Sequence, residues 1–113
     1  MNPITRYTIA FLAGRLAQAD SQALSISGPE GNKYFSGEVT PSYINVSESS
    51  AGTITGSGNN NYFSRISASS QAEDFELKVS GTSFEGRADS ESFKGRVSGS
   101  EIKFDSGENY RLQ

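Results

Sequence analysis

The sequence predicts a mainly β protein: an N-terminal helix followed by a strongly curved antiparallel meander of about 8–10 short strands, an up-and-down barrel or barrel-like roll. Three observations carry that expectation. From Asp74 to Phe104 the pieces FELKV, FEGRA, FKGRV and EIKF each alternate apolar with polar residues, as strands with one buried face do. Strand-like runs bounded by Gly, Ser, Asn and Asp recur at roughly 8–12 residues, the spacing of sandwiches and barrels. Two glycines, Gly86 and Gly95, fall on the inward positions of their strands, where the missing Cβ permits sharp coiling beside a covering aromatic.

The chain divides into a helical segment, residues 1–20, and an antiparallel barrel-like domain, residues 21–113. Asn2 can cap a helix and Pro3 suits its first position. The following residues to Ala19 are rich in Ala and Leu, with Ile9, Leu12, Ala13 and Leu16 able to share one face directed at the sheet. Such a helix is expected to close one end of the barrel or to pack on an outer face, with a curved open sheet gripping the helix as the alternative. Arg6, the apolar run Tyr7 to Ala13 and Ala17-Gln18-Ala19 also imitate a secretory signal, which would imply a secreted or periplasmic protein. Arg15, directly after so short an apolar run, counts against that reading and favours a folded helix and the cytoplasm.

Strands are expected at Ala23 to Ser27, Lys33 to Val39, Tyr43 to Ser47, Gly52 to Gly56 and Tyr62 to Ala68, separated by turn residues such as Gly28-Pro29, Pro41-Ser42 and Ser57 to Asn61. In the Asp74 to Phe104 stretch, Gly81-Thr82 and Gly99-Ser100 suit two-residue hairpin loops with glycine first, and Asp89 to Ser92 suits a four-residue loop. Those loops fix a register. Val79 opposes Phe84, Leu77 opposes Gly86 and Phe75 opposes Ala88 inside, while Lys78–Glu85 and Glu76–Arg87 pair outside with opposite charges. The next hairpin sets Phe84 against Val97, Gly86 against Gly95, Ala88 against Phe93 and Glu85 against Arg96. The third sets Val97 against Ile102 and Gly95 against Phe104. One inner row would then read Leu77, Gly86, Gly95, Phe104. The last strand, Asn109 to Leu112, is expected to pair with Ile102 to Phe104 and to turn Tyr110 and Leu112 inward.

Composition bounds function by exclusion. At 113 residues and 34% apolar content the chain has room for one thin core. It has neither Cys nor His, which removes disulfides, the usual zinc sites and His-based bases or nucleophile pairs. A net charge of −3 argues against a nucleic-acid partner. No apolar run reaches the roughly 18 to 20 residues of a membrane-spanning helix, so a soluble chain is expected. Glu73, Asp74 and Glu76, with Asp105 or Glu108, form the densest acidic group, but their spacing matches no calcium loop. No acid pair stands out for glycoside hydrolysis, because each acid from Glu76 to Glu101 has a basic partner on the outer face. No enzyme, cofactor or metal is expected.

The segment FELKVSGTSFEG, Phe75 to Gly86, is similar in its strand rhythm to bacterial surface-lipoprotein barrels of the transferrin-binding kind. The likeness spans a few strands, and the chain has no cysteine to accept a lipid.

Two surfaces remain as candidates. The loop Asn59, Asn60, Asn61, Tyr62, Phe63 is polar with an aromatic edge, a composition that suits binding. Leu77, Gly86, Gly95 and Phe104 could instead line an interior cavity. The sequence therefore favours a small non-catalytic module that binds another protein through loops and a sheet edge. The alternative is a barrel carrying a small apolar ligand. A lesser alternative is single-stranded nucleic acid on the basic outer face of Lys78, Arg87, Lys94, Arg96, Lys103 and Arg111, where the absence of interleaved aromatics counts against it.

Overall fold

Five consecutive residues of the helix, Ile9 to Ala13, are completely buried. At 3.6 residues per turn they point in every direction around the axis, so the helix is surrounded by protein. A computed structural model describes every residue, Met1–Gln113. The helix α1 (Pro3–Ala17) is followed by β1 (Ser25–Gly28), β2 (Gly31–Tyr34), β3 (Ser36–Thr40), β4 (Tyr43–Glu48), β5 (Gly52–Ser57), β6 (Tyr62–Ala68), β7 (Phe75–Ser80), β8 (Ser83–Ala88), β9 (Glu91–Ser98), β10 (Glu101–Phe104) and β11 (Asn109–Leu112). All eleven strands form one sheet, in the order β2-β1-β11-β10-β9-β8-β7-β6-β5-β4-β3, nearly closed around the helix. The expectation of a one-faced helix at the end or on the outside is thus corrected. An almost uninterrupted apolar run needs cover on all sides, and only the inside of the sheet supplies it.

The closure uses an economical connection. Every neighbouring pair in the sheet is antiparallel, so the two edge strands, β2 and β3, run in the same direction. A single residue, Phe35, joins them. They act as one bent strand whose first half pairs with β1 and whose second half pairs with β4, and the Phe35 N–H still donates to the Leu24 carbonyl at 2.8 Å. The Phe35 ring turns inward and stacks on Phe11 of the helix, with centroids 4.4 Å apart and planes inclined by 13°. The seam of the sheet is therefore fastened to the helix by an aromatic pair.

Both helix ends are tied to the sheet. Asn2 caps α1 through its Oδ1, which accepts from the Thr5 N–H at 2.9 Å, while the Tyr7 hydroxyl donates to the Gly31 carbonyl and accepts from the Glu30 N–H, each at 2.8 Å. At the other end Arg15 donates to the Ala23 carbonyl at 2.7 Å. The buried hydroxyl of Thr8 is satisfied within the helix by the Ile4 carbonyl. Helix and sheet share one core of 28 residues.

The hairpin β7–β8 has the register read from the sequence, with Lys78 opposite Glu85 and Glu76 opposite Arg87. Gly81 (φ +59) and Gly99 (φ +61) open their two-residue turns, a backbone conformation glycine adopts at no steric cost. The β8–β9 hairpin differs. Its loop is the two residues Asp89-Ser90, with Asp89 at φ +54, and not Asp89 to Ser92. The pairing consequently moves by two residues: Phe84 faces Gly95, Gly86 faces Phe93, Ala88 faces Glu91 and Glu85 faces Lys94. A shift of two keeps every side chain on its expected face, but the two glycines no longer oppose each other. Gly86 lies between Leu77 and Phe93, and Gly95 between Phe84 and Phe104.

Each glycine is pressed against the neighbouring backbone and covered by a phenylalanine. A Cβ on Gly95 would collide with the Lys103 carbonyl oxygen and approach Phe84 Cζ to 2.6 Å, and one on Gly86 would meet the Glu76 carbonyl oxygen and Phe93 Cζ at 2.7 Å. The sheet coils at these points because no side chain intervenes.

Two outcomes follow. Gly95→Val forces atoms into an occupied, backbone-walled site and is expected to cost about 1 to 3 kcal/mol or more, whereas Lys94→Val on the exposed face should stay within about 0.5 kcal/mol. Equal urea midpoints for the two variants would contradict the packing described. Phe11→Ala, which removes the stack that holds the seam, is expected to lose about 3 to 5 kcal/mol by chemical denaturation.

Candidate binding surface

The loop after β5 is built as a fixed platform. Asn60 (φ +56) and Asn61 (φ +67) take left-handed backbone values, which Asn tolerates because its short amide can bond locally. Asn59 and Tyr62 exchange two backbone hydrogen bonds, both 3.0 Å. The loop is also tied to the β3–β4 turn, with Gly58 N–H on the Ser42 carbonyl and Asn61 N–H on the Pro41 carbonyl, each at 2.9 Å. Two neighbouring loops thus behave as one ordered unit, which lowers the entropic cost of engaging a partner.

Within that unit Asn59, Asn60 and Tyr62 are exposed, and Asn61 is half-buried. Asn61 turns its amide towards the end of α1, with Nδ2 3.5 Å from the Leu16 carbonyl. Its Oδ1 is the one buried side-chain polar atom without a hydrogen-bond partner. Phe63 is completely buried and acts as a core residue, because strand alternation sends it inward once Tyr62 points out. The Tyr62 hydroxyl donates to Glu76 Oε2 at 2.9 Å, and that bond to a carboxylate raises the tyrosine pKa.

The other predicted set stands inside the barrel. Leu77, Gly95 and Phe104 are buried, and the room beside the glycines is taken by phenylalanines, Phe84 standing edge-on to Phe104 with centroids 5.3 Å apart. Gly86 alone borders open space, a cleft of ≈ 670 Å³ lined also by Tyr62, Glu76, Lys78, Arg87 and Lys94.

The outer surface carries two unlike regions, the second flanked by exposed Glu38 on β3 and Arg65 on β6. Across β7 to β11 it is charged, with Lys78–Glu85–Lys94 and Glu101–Arg111 as directly opposed neighbours. On β4 and β5 the exposed strand positions are Tyr43, Asn45, Ser47, Thr53, Thr55 and Ser57, all uncharged. The exposed large apolar side chains, Leu24, Tyr34, Tyr43 and Tyr62, stand on or beside β1, β2, β4 and β6, with Tyr62 at the border of the charged region, opposite Lys78. Tyr43 was missed by the sequence reading, although the polar positions of the YINVS and GTITG segments already lacked charge.

The acids weighed as metal ligands are each engaged elsewhere. Glu73 accepts from the Asn2 N–H at 2.7 Å. Asp74 accepts from Arg65 at 2.7 Å and from the Ala68 N–H at 3.1 Å. Asp105 lies 4.0 Å from Lys94, and Glu108 accepts from Ser106 and lies 3.8 Å from Arg6. Burial pushes the Glu73 carboxyl up, but hydrogen bonds from Asn2, Asp89 and Thr5 outweigh it and hold the pKa below the usual range. Its neighbour Asp89 is raised by the hydrogen bond to Glu73. The Ala68 N–H and then Arg65 depress Asp74.

Comparison with protein-family models, with curated proteins and with solved structures finds no match for the chain. No helix is long and apolar enough to cross a membrane.

The depressed Asp74 gives a pH test. A carboxyl whose pKa falls on folding stabilises above its unfolded value and loses that contribution as pH drops through the folded value. Asp74→Asn should therefore cost on the order of 1 kcal/mol near neutrality, allowing for its partial exposure. The difference from the native chain should close progressively below about pH 4. Denaturation midpoints of the two proteins between pH 7 and pH 2 measure it.

Proposed function

We propose that the protein is a non-catalytic module that binds another protein through the uncharged outer face of β4 and β5 and the loops beside it, centred on Tyr43, Tyr62 and the fused loops at Pro41-Ser42 and Gly58 to Asn61. The observation that carries this reading is the composition of that surface. Tyrosines give large rigid contact area at low entropic cost, Ser, Thr and Asn give adaptable hydrogen bonding, and both sit on a backbone already ordered by loop-to-loop bonds. The edge strands of the sheet, β2 and β3, adjoin this face, and an edge strand is where an added strand can pair.

The carrier reading has less to support it, because α1 occupies the volume an apolar ligand would need. A single-stranded nucleic acid would need aromatics beside the cations, and the exposed tyrosines stand mostly on other strands.

The test is affinity capture with cross-linking mass spectrometry, comparing the native protein, a Tyr43→Ser/Tyr62→Ser double variant and a Glu101→Gln control on the charged region. The expected result is a protein cross-linked around residues 41–62. Its capture should fall roughly tenfold in the double variant, a loss of about 1.4 kcal/mol, and be kept in the control. Cross-links on β9 to β11, or equal capture by all three forms, would overturn the reading.

A further inference from the structure

On the charged region, one pair breaks the alternation of sign. Arg96 of β9 and Lys103 of β10 stand directly opposite each other in the register, both exposed. Directly opposed side chains on antiparallel strands have Cβ atoms about 4.5 to 5.5 Å apart, and like charges there are destabilising. The nearby carboxylates do not relieve the pair: Glu101 lies 3.8 Å from Arg111 and Asp105 4.0 Å from Lys94, and Glu85 is opposite Lys94. No carboxylate comes within ion-pair distance of Arg96 or Lys103. The same cross-strand row continues into Ser83 on one side and Asn109 on the other, which bring a hydroxyl and a carboxamide.

We infer that Arg96 and Lys103 form a site for one tetrahedral oxoanion, a phosphate or sulfate group carried by a small soluble ligand. The chemistry is complementary. The guanidinium supplies a planar fork to two oxygens, the ammonium supplies a point charge, and the anion between them turns a repulsive contact into two attractive ones. The surroundings select a small ligand. Glu85, Glu101 and Asp105 occupy the next outward-facing positions around the pair, and the chain carries a net charge of −3, so a polyanion or an anionic bilayer, which must extend past the two cations, meets more repulsion than a single group seated between them. Nor does an exposed aromatic stand in this row to stack a base. The site is separate from the tyrosine-bearing region and does not depend on its partner.

The test is an NMR titration of the backbone and of the Arg96 and Lys103 side chains with inorganic phosphate and with sulfate at constant ionic strength. It is run on the native chain, Arg96→Gln and Lys103→Gln, with oligothymidylate and phosphatidylserine-containing vesicles as further arms. The expected result is saturable shifts centred on Arg96, Lys103 and Asn109, with affinity at least roughly tenfold weaker in each variant. Removing one cation also relieves the repulsion, so Lys103→Gln should melt higher than the native chain in anion-free, low-salt buffer, and saturating phosphate should shrink or reverse that difference. Unsaturable shifts, shifts unchanged by both variants, or binding seen only with vesicles or oligothymidylate would overturn the site.

Discussion

The mutual burial of one helix and one sheet is the constraint on which the rest of this protein depends. Neither element is stable alone in the form it takes. An isolated 15-residue helix is marginal in water, and this one would expose Ile9, Phe11 and Leu12. A sheet of short strands without filler would enclose a space that its own side chains do not occupy. Together they satisfy each other, with each large side chain taken fully from water contributing about 1.5 to 3 kcal/mol. The low apolar content ceases to be a puzzle on this plan. Apolar residues are concentrated in the helix and on one side of most strands, which leaves Ser, Thr, Asn and charged residues for the outside.

Wrapping a helix requires a sheet that bends all the way round, and three devices supply the bend. The inward glycines let β8 and β9 press on their neighbours' backbones. Phe84 and Phe93 cover the gaps the glycines leave, so curvature costs little buried volume. At the seam the chain spends a single residue, Phe35, to pass from one edge of the sheet to the other, and that residue's ring is also the contact with Phe11. Because Phe35 acts in both the backbone closure and the core, disturbing the helix and disturbing the seam are the same perturbation.

Much of this was legible in the residues. The β7–β8 register followed from glycine at the turn and from two opposite-charge pairs that fit only one alignment. The β8–β9 register did not, for a physical reason: slipping a hairpin by two residues conserves which side chains face inward, so alternation cannot tell the two alignments apart. The charges did hold a clue that the four-residue loop ignored: Glu85 meets a cation in both alignments, but the expected one sets Arg87 opposite Lys94, whereas the observed one sets it opposite Ser92. The deciding feature is Asp89 in a left-handed conformation, which a non-glycine residue does not advertise. The helix carried a clearer signal, since only the hydroxyls of Tyr7 and Thr8 interrupt the apolar run from Tyr7 to Ala13, and a threonine hydroxyl can bond back to the preceding turn. An apolar run of that kind belongs in an interior. Of the candidate loop, the asparagines and Tyr62 were legible from composition, whereas its attachment to Pro41-Ser42 and the place of Tyr43 depend on strands that meet only in the folded sheet.

The division of the outer surface follows from that same architecture. A barrel filled by its own helix leaves its interior to packing, so the binding proposed for it falls to exterior strand positions, which are free of packing constraints. On β7 to β11 they carry opposed charges that reinforce the register the glycine turns set. On β4 and β5 the exposed positions are uncharged, and the hairpin turn between the strands is held from within by Glu48, whose buried carboxylate accepts from the Ser50 and Ala51 N–H groups. A surface relieved of charge in this way needs little desolvation when covered. The one place in the charged region where sign alternation fails, Arg96 opposite Lys103, lies within a hairpin whose turn at Gly99 already fixes the pairing, so the repulsion there serves no structural purpose.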